Sequence, residues 1–368
     1  MELIQLLQIM QKEKASDLFL SVGIEPSLKI YGKLRRIEHP PLTEDDVLGL
    51  IQSSMSDDRF NHYVKNRDAN FALNCQGLGR FRISAFWQQE MPGATIRRIE
   101  MDIPTCESLH VPATIPELAM TKRGLILFVG ATGAGKSTTQ AAMIGYRNEH
   151  AQDHILTIED PIEFVHTHKK SLVTQREVGS DTLSFDEGLK SALRQAPDVI
   201  LIGEIRSAET MQFAMSFAET GHLCMATLHA NNANQALERI MHLVPPEKHR
   251  MLMYDLSFNL KAIIAQQLIP TLDGHGRRAA FEILLNSPLV CDIIRKGEMH
   301  RLKEIMGRSR EQGMVTFDQS LFELYQQGLI GFDEAMSFAD SSNEVRMMIK
   351  LAGDKGLGSG MLDNVTIC

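Results

Sequence analysis

The chain has 368 residues, more than one typical core holds, so two or three domains are expected. It is 43% hydrophobic and 23% charged with a formal net charge of −8, ordinary for a globular chain and the wrong sign for a general nucleic-acid binder. No apolar stretch approaches the roughly 18 residues of a membrane span, the first residues lack the basic region and cleavage site of a secretory signal, and five scattered cysteines without a C-x-x-C pair suit a reduced, cytoplasmic protein.

Leu3, Leu6, Leu7 and Met10 recur at helical spacing, which predicts an amphipathic helix over residues 2–13. Its polar face is mostly Gln and Glu, which suits core packing better than an anionic membrane. Residues 17–22 and 28–37 read as strands, the second turning near Gly32. Thr43 ahead of Glu44, Asp45 and Asp46 is an N-cap with first-turn carboxylates, and it opens a helix expected over 42–59. Residues 70–74, 79–87 and 93–99 are three more strands. Helices with antiparallel strands predict an α+β domain over 1–100. The last two strands carry Arg80, Arg82, Arg97 and Arg98. Two readings stand open for them: a solvated sheet face, or a cationic surface that meets phosphates. Pro104, Pro112 and Pro116 then punctuate 101–116, which reads as a linker.

From Gly124 apolar strands alternate with helices, the sign of an α/β fold with a mainly parallel sheet. Residues 124–129 form a short apolar strand. After it, Gly130-Ala131-Thr132-Gly133-Ala134-Gly135-Lys136-Ser137-Thr138 fits the P-loop pattern G-x-x-x-x-G-K-[ST], and a helix follows over 138–147. Strand, loop and helix together are the context this motif requires. The glycines let backbone N–H groups turn inward toward phosphate oxygens, and the helix N-terminus adds partial positive charge. Lys136 is placed to reach the β- and γ-phosphates of ATP, and Ser137 to put its hydroxyl on Mg²⁺.

Three further strands end in polar residues. Residues 154–158 end at Glu159-Asp160-Pro161-Ile162-Glu163, 198–202 at Gly203-Glu204, and 222–227 at Leu228-His229. Ligands of open α/β sheets bind at the carboxyl ends of strands, so all three converge on the edge that carries the P-loop. Glu204 ends a Walker B-like strand and is the expected Mg²⁺-side carboxylate, acting through water. Glu163 either orients or deprotonates the attacking water, although Asp160-Pro161 is also a common helix entry. His229 suits donation to a γ-phosphate. His222 lies roughly 20 Å away along an extended strand, too far to share a metal, and reads as a brace. His166 and His168 lack a third ligand and read as surface residues.

Beyond Pro270, Asp273-Gly274-His275-Gly276 is a tight turn, 277–285 a final strand, and 289–295, 299–309, 317–327 and 332–339 amphipathic helices. The expected division is an ATPase core over 117–285, a helical portion over 286–352 and a Gly-rich tail over 353–368.

The motif at 130–138, Ile158-Glu159-Asp160-Pro161-Ile162-Glu163-Phe164, Ile202-Gly203-Glu204-Ile205-Arg206 and Thr220-Gly221-His222 with Thr227-Leu228-His229 resemble the Walker A, Asp box, Walker B and His box of the secretion ATPases. Asp17-Leu18-Phe19-Leu20, Gly79-Arg80-Phe81-Arg82 and Gln175-Arg176-Glu177-Val178 resemble the PilT/PilU branch, the type IV pilus retraction ATPases. The resemblance runs over about residues 1 to 350. It implies a hexameric ring motor with an N-terminal PAS-like domain, a RecA-like P-loop NTPase core and a C-terminal helical portion. It implies nucleotide contacts through Gly130, Thr132, Gly133, Ala134, Gly135, Lys136, Ser137 and Thr138. Glu163 and Glu204 are then expected to be catalytic, His229 to meet the γ-phosphate, and Arg82 and Arg97 to reach the site from the N-terminal domain. Where the main retraction motor carries Ala-Ile-Arg-Asn-Leu-Ile, this chain has Leu289-Val290-Cys291-Asp292-Ile293-Ile294, without the arginine and the asparagine, while His229-Ala230-Asn231-Asn232-Ala233-Asn234-Gln235-Ala236 and Gly297-Glu298-Met299-His300, with the extended tail, look closer to the accessory, PilU-like side.

The first functional expectation is a homo-hexameric ATPase that uses ATP and Mg²⁺ and assists pilus retraction beside PilT. It would act at an inner-membrane platform protein, on the cytoplasmic face of the membrane. A joint near 101–116 would turn hydrolysis into displacement. A structural coupling subunit is the second reading. A nucleic-acid translocase is the third, and no nucleic-acid partner is expected.

Overall fold

The computed structural model describes residues 2–30, 32–99 and 102–353. The tail expected beyond Gly353 lies outside them. The chain divides into two compact units. One comprises Met1–Ile103, Glu163–His166 and Gly179–Asp181; the other comprises Pro104–Ile162, Thr167–Val178 and Thr182–Cys368.

The first unit opens with α1 (Leu3–Lys12), which buries Leu3, Leu6, Leu7 and Met10 as its spacing dictates. Strands β1 (Asp17–Ser21), β2 (Ser27–Ile30) and β3 (Lys33–Arg36) follow, then α2 (Glu44–Gln52) and α3 (Asp57–Asn66), then β4 (Asp68–Cys75), β5 (Gly79–Gln88) and β6 (Met91–Arg98). The six strands form one antiparallel sheet in the order β3-β2-β1-β6-β5-β4. Leu18, Leu20, Phe81, Ile83 and Ile96 face α1 and α2 residues in a single apolar core. The single helix expected over 42–59 is two helices. Ser53 and Ser54 donate their hydroxyls to the carbonyls of Leu50 and Ile51, and such local bonds compete with helix continuation. Thr43 caps α2 through a reciprocal bond with Asp46.

The second unit runs α4 (Thr114–Ala119), β7 (Gly124–Val129), α5 (Lys136–His150), β8 (His154–Glu159), β9 (Leu172–Glu177), α6 (Phe185–Ala192) and β10 (Val199–Ile202). It continues with α7 (Ala208–Glu219), β11 (Leu223–Leu228), α8 (Ala233–His242), α9 (His249–Asn259), β12 (Leu260–Pro270) and β13 (Arg277–Leu285). Five helices close it: α10 (Pro288–Lys296), α11 (Leu302–Arg308), α12 (Phe317–Gln326), α13 (Phe332–Ser337) and α14 (Ser342–Leu351). The sheet order is β13-β12-β7-β11-β10-β8-β9. All strands are parallel except β13, which returns antiparallel along β12. Every residue of β7, β10 and β11 is buried. Leu125, Leu127 and Val129 pack into one apolar layer, Ile126 and Phe128 into the other. That is why these strands read as unbroken apolar runs. Strands β9 and β12 and helix α14 are absent from the sequence reading. Gln and Thr in β9 and the paired Gln266-Gln267 in β12 blur the apolar pattern that marks the other strands.

Among the described residues no helix is long and apolar enough to cross a membrane.

Candidate nucleotide site

Parallel strands with helical returns put all their carboxyl ends on one edge. Register places Val129 beside Leu228, and Ile202 beside both Ala226 and Ile158. The P-loop, Glu204 and His229 therefore leave the sheet on the same edge, from the neighbouring strands β7, β11 and β10.

The loop from β7 to α5 is built on positive φ at Gly130 (146°) and Gly135 (85°), a region that L side chains rarely adopt. A Cβ at Gly130 would stand 2.5 Å from the carbonyl oxygen of Gln266, and one at Gly135 would stand 2.8 Å from its Nε2. Lys136 is buried, and its ammonium donates to the carbonyls of Gly130 (2.7 Å) and Ala131 (2.9 Å). The side chain thus closes back over its own loop. Thr132 and Gly133 are exposed, Ala134 is buried, and Ser137 and Thr138 are half-buried at the start of the 15-residue helix α5. A cavity of about 360 Å³ opens beside Gly130, Thr132 and Gly133, with Asn231, Gln266 and Arg277 on its other walls. A buried cation, a glycine-built loop and a long helix N-terminus fit a phosphate chain, and Ser137 fits a hydroxyl ligand for its metal.

Glu204 follows β10. Its Oε2 accepts from Arg206 Nε at 2.7 Å, and its Oε1 lies 3.2 Å from His229 Nε2. The carboxylate in turn holds the Arg206 guanidinium more firmly in its charged form. Thr227 donates its hydroxyl to the Gly203 carbonyl, and Ile205 N–H donates to Thr227 O at 2.8 Å. These bonds lock the ends of β10 and β11 and fix Glu204 against His229. Gly203 permits this: a Cβ there would sit 3.1 Å from Glu159 Cα.

The acidic run after β8 does not act as one cluster. Glu159 accepts from Thr157 Oγ1 (2.6 Å) and Gln175 Nε2 (3.2 Å), which ties it to β9. No helix follows Asp160-Pro161. Instead Ile162 N–H donates to the buried Glu177 at 3.1 Å. Glu163 is exposed and belongs to a short segment of the first unit. Arg82 and Arg97 belong to that unit too. They are exposed cross-strand partners on β5 and β6, and Arg97 also pairs with Asp17 on β1. Two arginines face to face across strands repel. Asp17, only 5% exposed, relieves one of them through a 2.7 Å bond to Arg97 Nε. Thus the second unit by itself assembles the P-loop, Glu204 and His229, while Glu163, Arg82 and Arg97 stand on the first.

His222 bonds to Thr220 Oγ1 and the Phe217 carbonyl, a local brace at the start of β11. His168 is exposed and accepts from Val173 N–H. Sequence reasoning missed Gln266, which is buried on β12, accepts from Thr139 Oγ1 at 2.8 Å and backs the P-loop. Its one signal is an amide within an apolar strand. It missed Arg206 as the partner of Glu204, although the residue lies inside a quoted motif.

The family described as type II/IV secretion system protein matches residues 5–335. The type IV pilus ATPase PilU of Pseudomonas aeruginosa is 55% identical over 96% of this chain and 93% of its own length. The retraction ATPase PilT of the same organism is 41% identical over 91% of this chain and 97% of its own. The crystal structure of the retraction motor PilT with bound ADP superposes with a TM-score of 0.88 at 38% identity, covering 94% of this chain and 99% of that one. The fold is accordingly the RecA-like ATPase architecture with an added N-terminal domain. A P-loop, a Walker B carboxylate and a His-box histidine on one sheet edge, with relatives matched along nearly their full length, lead to one conclusion: the chain belongs to the type II/IV secretion ATPase family, as a P-loop ATPase of the PilT/PilU retraction branch.

Proposed function

We propose that this chain is the accessory member of a pilus retraction machine, a homo-hexameric ATPase that works beside a PilT-type motor at an inner-membrane platform protein. The observation that carries the reading is the meeting of Glu204 and His229 on the P-loop edge. Lys136 exchanges its two carbonyl partners for phosphate oxygens and holds the chain of phosphates in the loop. Ser137, and Glu204 through water, would hold Mg²⁺, which would supply charge neutralisation at the phosphate oxygens. Glu204, released from Arg206, keeps the water-bound side of the site anionic. His229 donates to the terminal phosphate and registers its loss through the same Glu204 contact. Glu163 positions the attacking water. Arg82 and Arg97, reaching the nucleotide from a neighbouring subunit, balance charge in the transition state. The reading includes a joint near 101–116 and a location at the cytoplasmic face of the membrane.

ATP turnover by the purified protein, beside Lys136→Ala and Glu163→Gln, tests it. Wild-type turnover lost in both variants is expected. Turnover that survives Lys136→Ala removes the motor.

A second reading, a coupling subunit whose nucleotide sets assembly, is favoured by one feature. Helix α10 carries Asp292, paired with Arg295 and Lys296, in the stretch where the main retraction motor has its own motif. Wild type without turnover, even with a PilT-type motor added, would select that reading.

A further inference from the structure

One charged group in the second unit has no part in the chemistry above. Glu282 lies in the middle of β13 and is 2% exposed. Ala280 and Leu284, on the same face of the strand, are fully buried in the main apolar core. Burying a carboxylate there is costly, and an apolar residue of similar size would fill the space without that cost. Burial pushes its carboxyl up to about 7, against the helping bond from Ala233; Asp340 and Asp318 act in the same direction as burial, and Lys303 opposes them.

What the carboxylate touches explains its place. Its Oε1 accepts from the N–H of Ala233 at 2.8 Å. Ala233 is the first residue of α8, and its N–H is one of those a helix start leaves without an internal partner. Asn232 caps the same turn by accepting from Gln235 N–H at 3.0 Å, and Gln235 accepts from Asn231 N–H at 3.2 Å. Asn231 and Asn232 each bond to Gln235, which satisfies the turn locally. Glu282 supplies the bond that ties this turn to a different element. Between Leu228, the last residue of β11, and Ala233 lie four residues, and the first of them is His229. One end of this short loop is fixed by the sheet. The other is fixed by Glu282.

We propose that Glu282 is a positioning residue for His229: its carboxyl oxygen anchors the start of α8 and thereby sets where the histidine stands against Glu204. The anchor comes from β13, the antiparallel edge strand, which also packs on α12. Helix α12 carries Asp318, and Asp318 is bonded to Lys303 at 2.8 Å and to Ser341 N–H at 3.1 Å. The helical portion after β13 is thus joined to the phosphate-reading loop through one strand. The inference rests on the ATPase reading for its kinetic part only.

The test compares wild type, Glu282→Gln and Glu282→Leu in the full chain. Gln keeps an acceptor oxygen without charge; Leu fills the volume without an acceptor, a kind of replacement that buried charges commonly tolerate. Hydrogen exchange of amides 229–235 is expected to speed up by about tenfold in the Leu variant and to stay near wild type in the Gln variant. The Leu variant is expected to lose about tenfold in kcat with KM for ATP within about twofold, because the P-loop is untouched. In a His229→Ala background, Glu282→Leu should then cost nothing further in kcat. Unchanged exchange over 229–235 overturns the proposal. So does an unchanged kcat with faster exchange, or a kcat loss that multiplies with that of His229→Ala. If wild type itself does not turn over ATP, the ATPase reading fails and the exchange comparison alone decides this one.

Discussion

The two units offer charge in opposite ways. In the second, the parallel sheet is buried on both faces, and its chemistry is confined to loops at the strand ends, where backbone bonds such as Ile205 to Thr227 set side-chain positions. In the first, an antiparallel sheet keeps one wet face, and Arg82 within β5 and Arg97 near the end of β6 stand across that face, in register with each other. Loops at strand ends can curl round a ligand. A sheet face presents a flat row, fixed by pairing, that meets a ligand brought to it. A parallel core therefore builds a pocket, and an antiparallel face builds a contact.

The largest effect expected is at the pocket. Lys136→Ala should lower ATP turnover by about 10³-fold, since it removes the loop's only inward cation. Retained turnover in a steady-state assay would mean that the second unit does not hold the site. The next concerns the core behind that pocket. The Glu282 carboxyl, raised from 4.5 to about 7 in the folded chain, binds a proton that the unfolded chain has already released between those values. Its stabilising contribution is therefore complete below about pH 4.5 and lost as pH rises through about 7, a fall of about 3 kcal/mol. Denaturant unfolding at pH 5 and pH 8 should show this fall in wild type and a smaller one in Glu282→Gln. The contact face comes third. Arg82→Ala and Arg97→Ala should each cost about 10²-fold in kcat, with the unfolding midpoint of the first unit kept in place by Arg82→Ala and lowered by Arg97→Ala, which leaves the buried Asp17 without its cation. Arg82→Ala even removes a cross-strand repulsion. If kcat is unmoved, the arginine row is a solvated face and the contrast between pocket and contact collapses. The smallest is Gln266→Leu. Loss of its bond with Thr139 should cost about 1 to 2 kcal/mol in stability and loosen the loop, read as a higher KM for ATP.

These predictions also mark what the chain's linear order reveals. The P-loop was legible because its glycines, lysine and flanking strand and helix are contiguous. The strand ends were legible because a buried parallel strand is an apolar run that stops abruptly at a polar residue, as at Ile202-Gly203-Glu204. The break between α2 and α3 was hidden because Ser53 and Ser54 end the helix through hydroxyl bonds that leave the apolar spacing intact. Gln266 and Glu282 were illegible for a different reason. Their partners lie 127 and 49 residues away, so nothing near them in sequence states their use. A buried polar residue in an apolar strand is the one local trace such contacts leave.

The lysine that folds over its own loop has a kinetic consequence. Because carbonyls of Gly130 and Ala131 already accept from the Lys136 ammonium, the loop holds its shape with that cation solvated by protein. On the proposed reading, nucleotide entry would be an exchange of acceptors around a standing charge, with little backbone ordering to wait for. Product departure would return the ammonium to the same two oxygens, so the loop would be reset as the phosphates leave. For the motor proposed above, the interval between one nucleotide and the next would then be set by access to the pocket rather than by refolding of the loop.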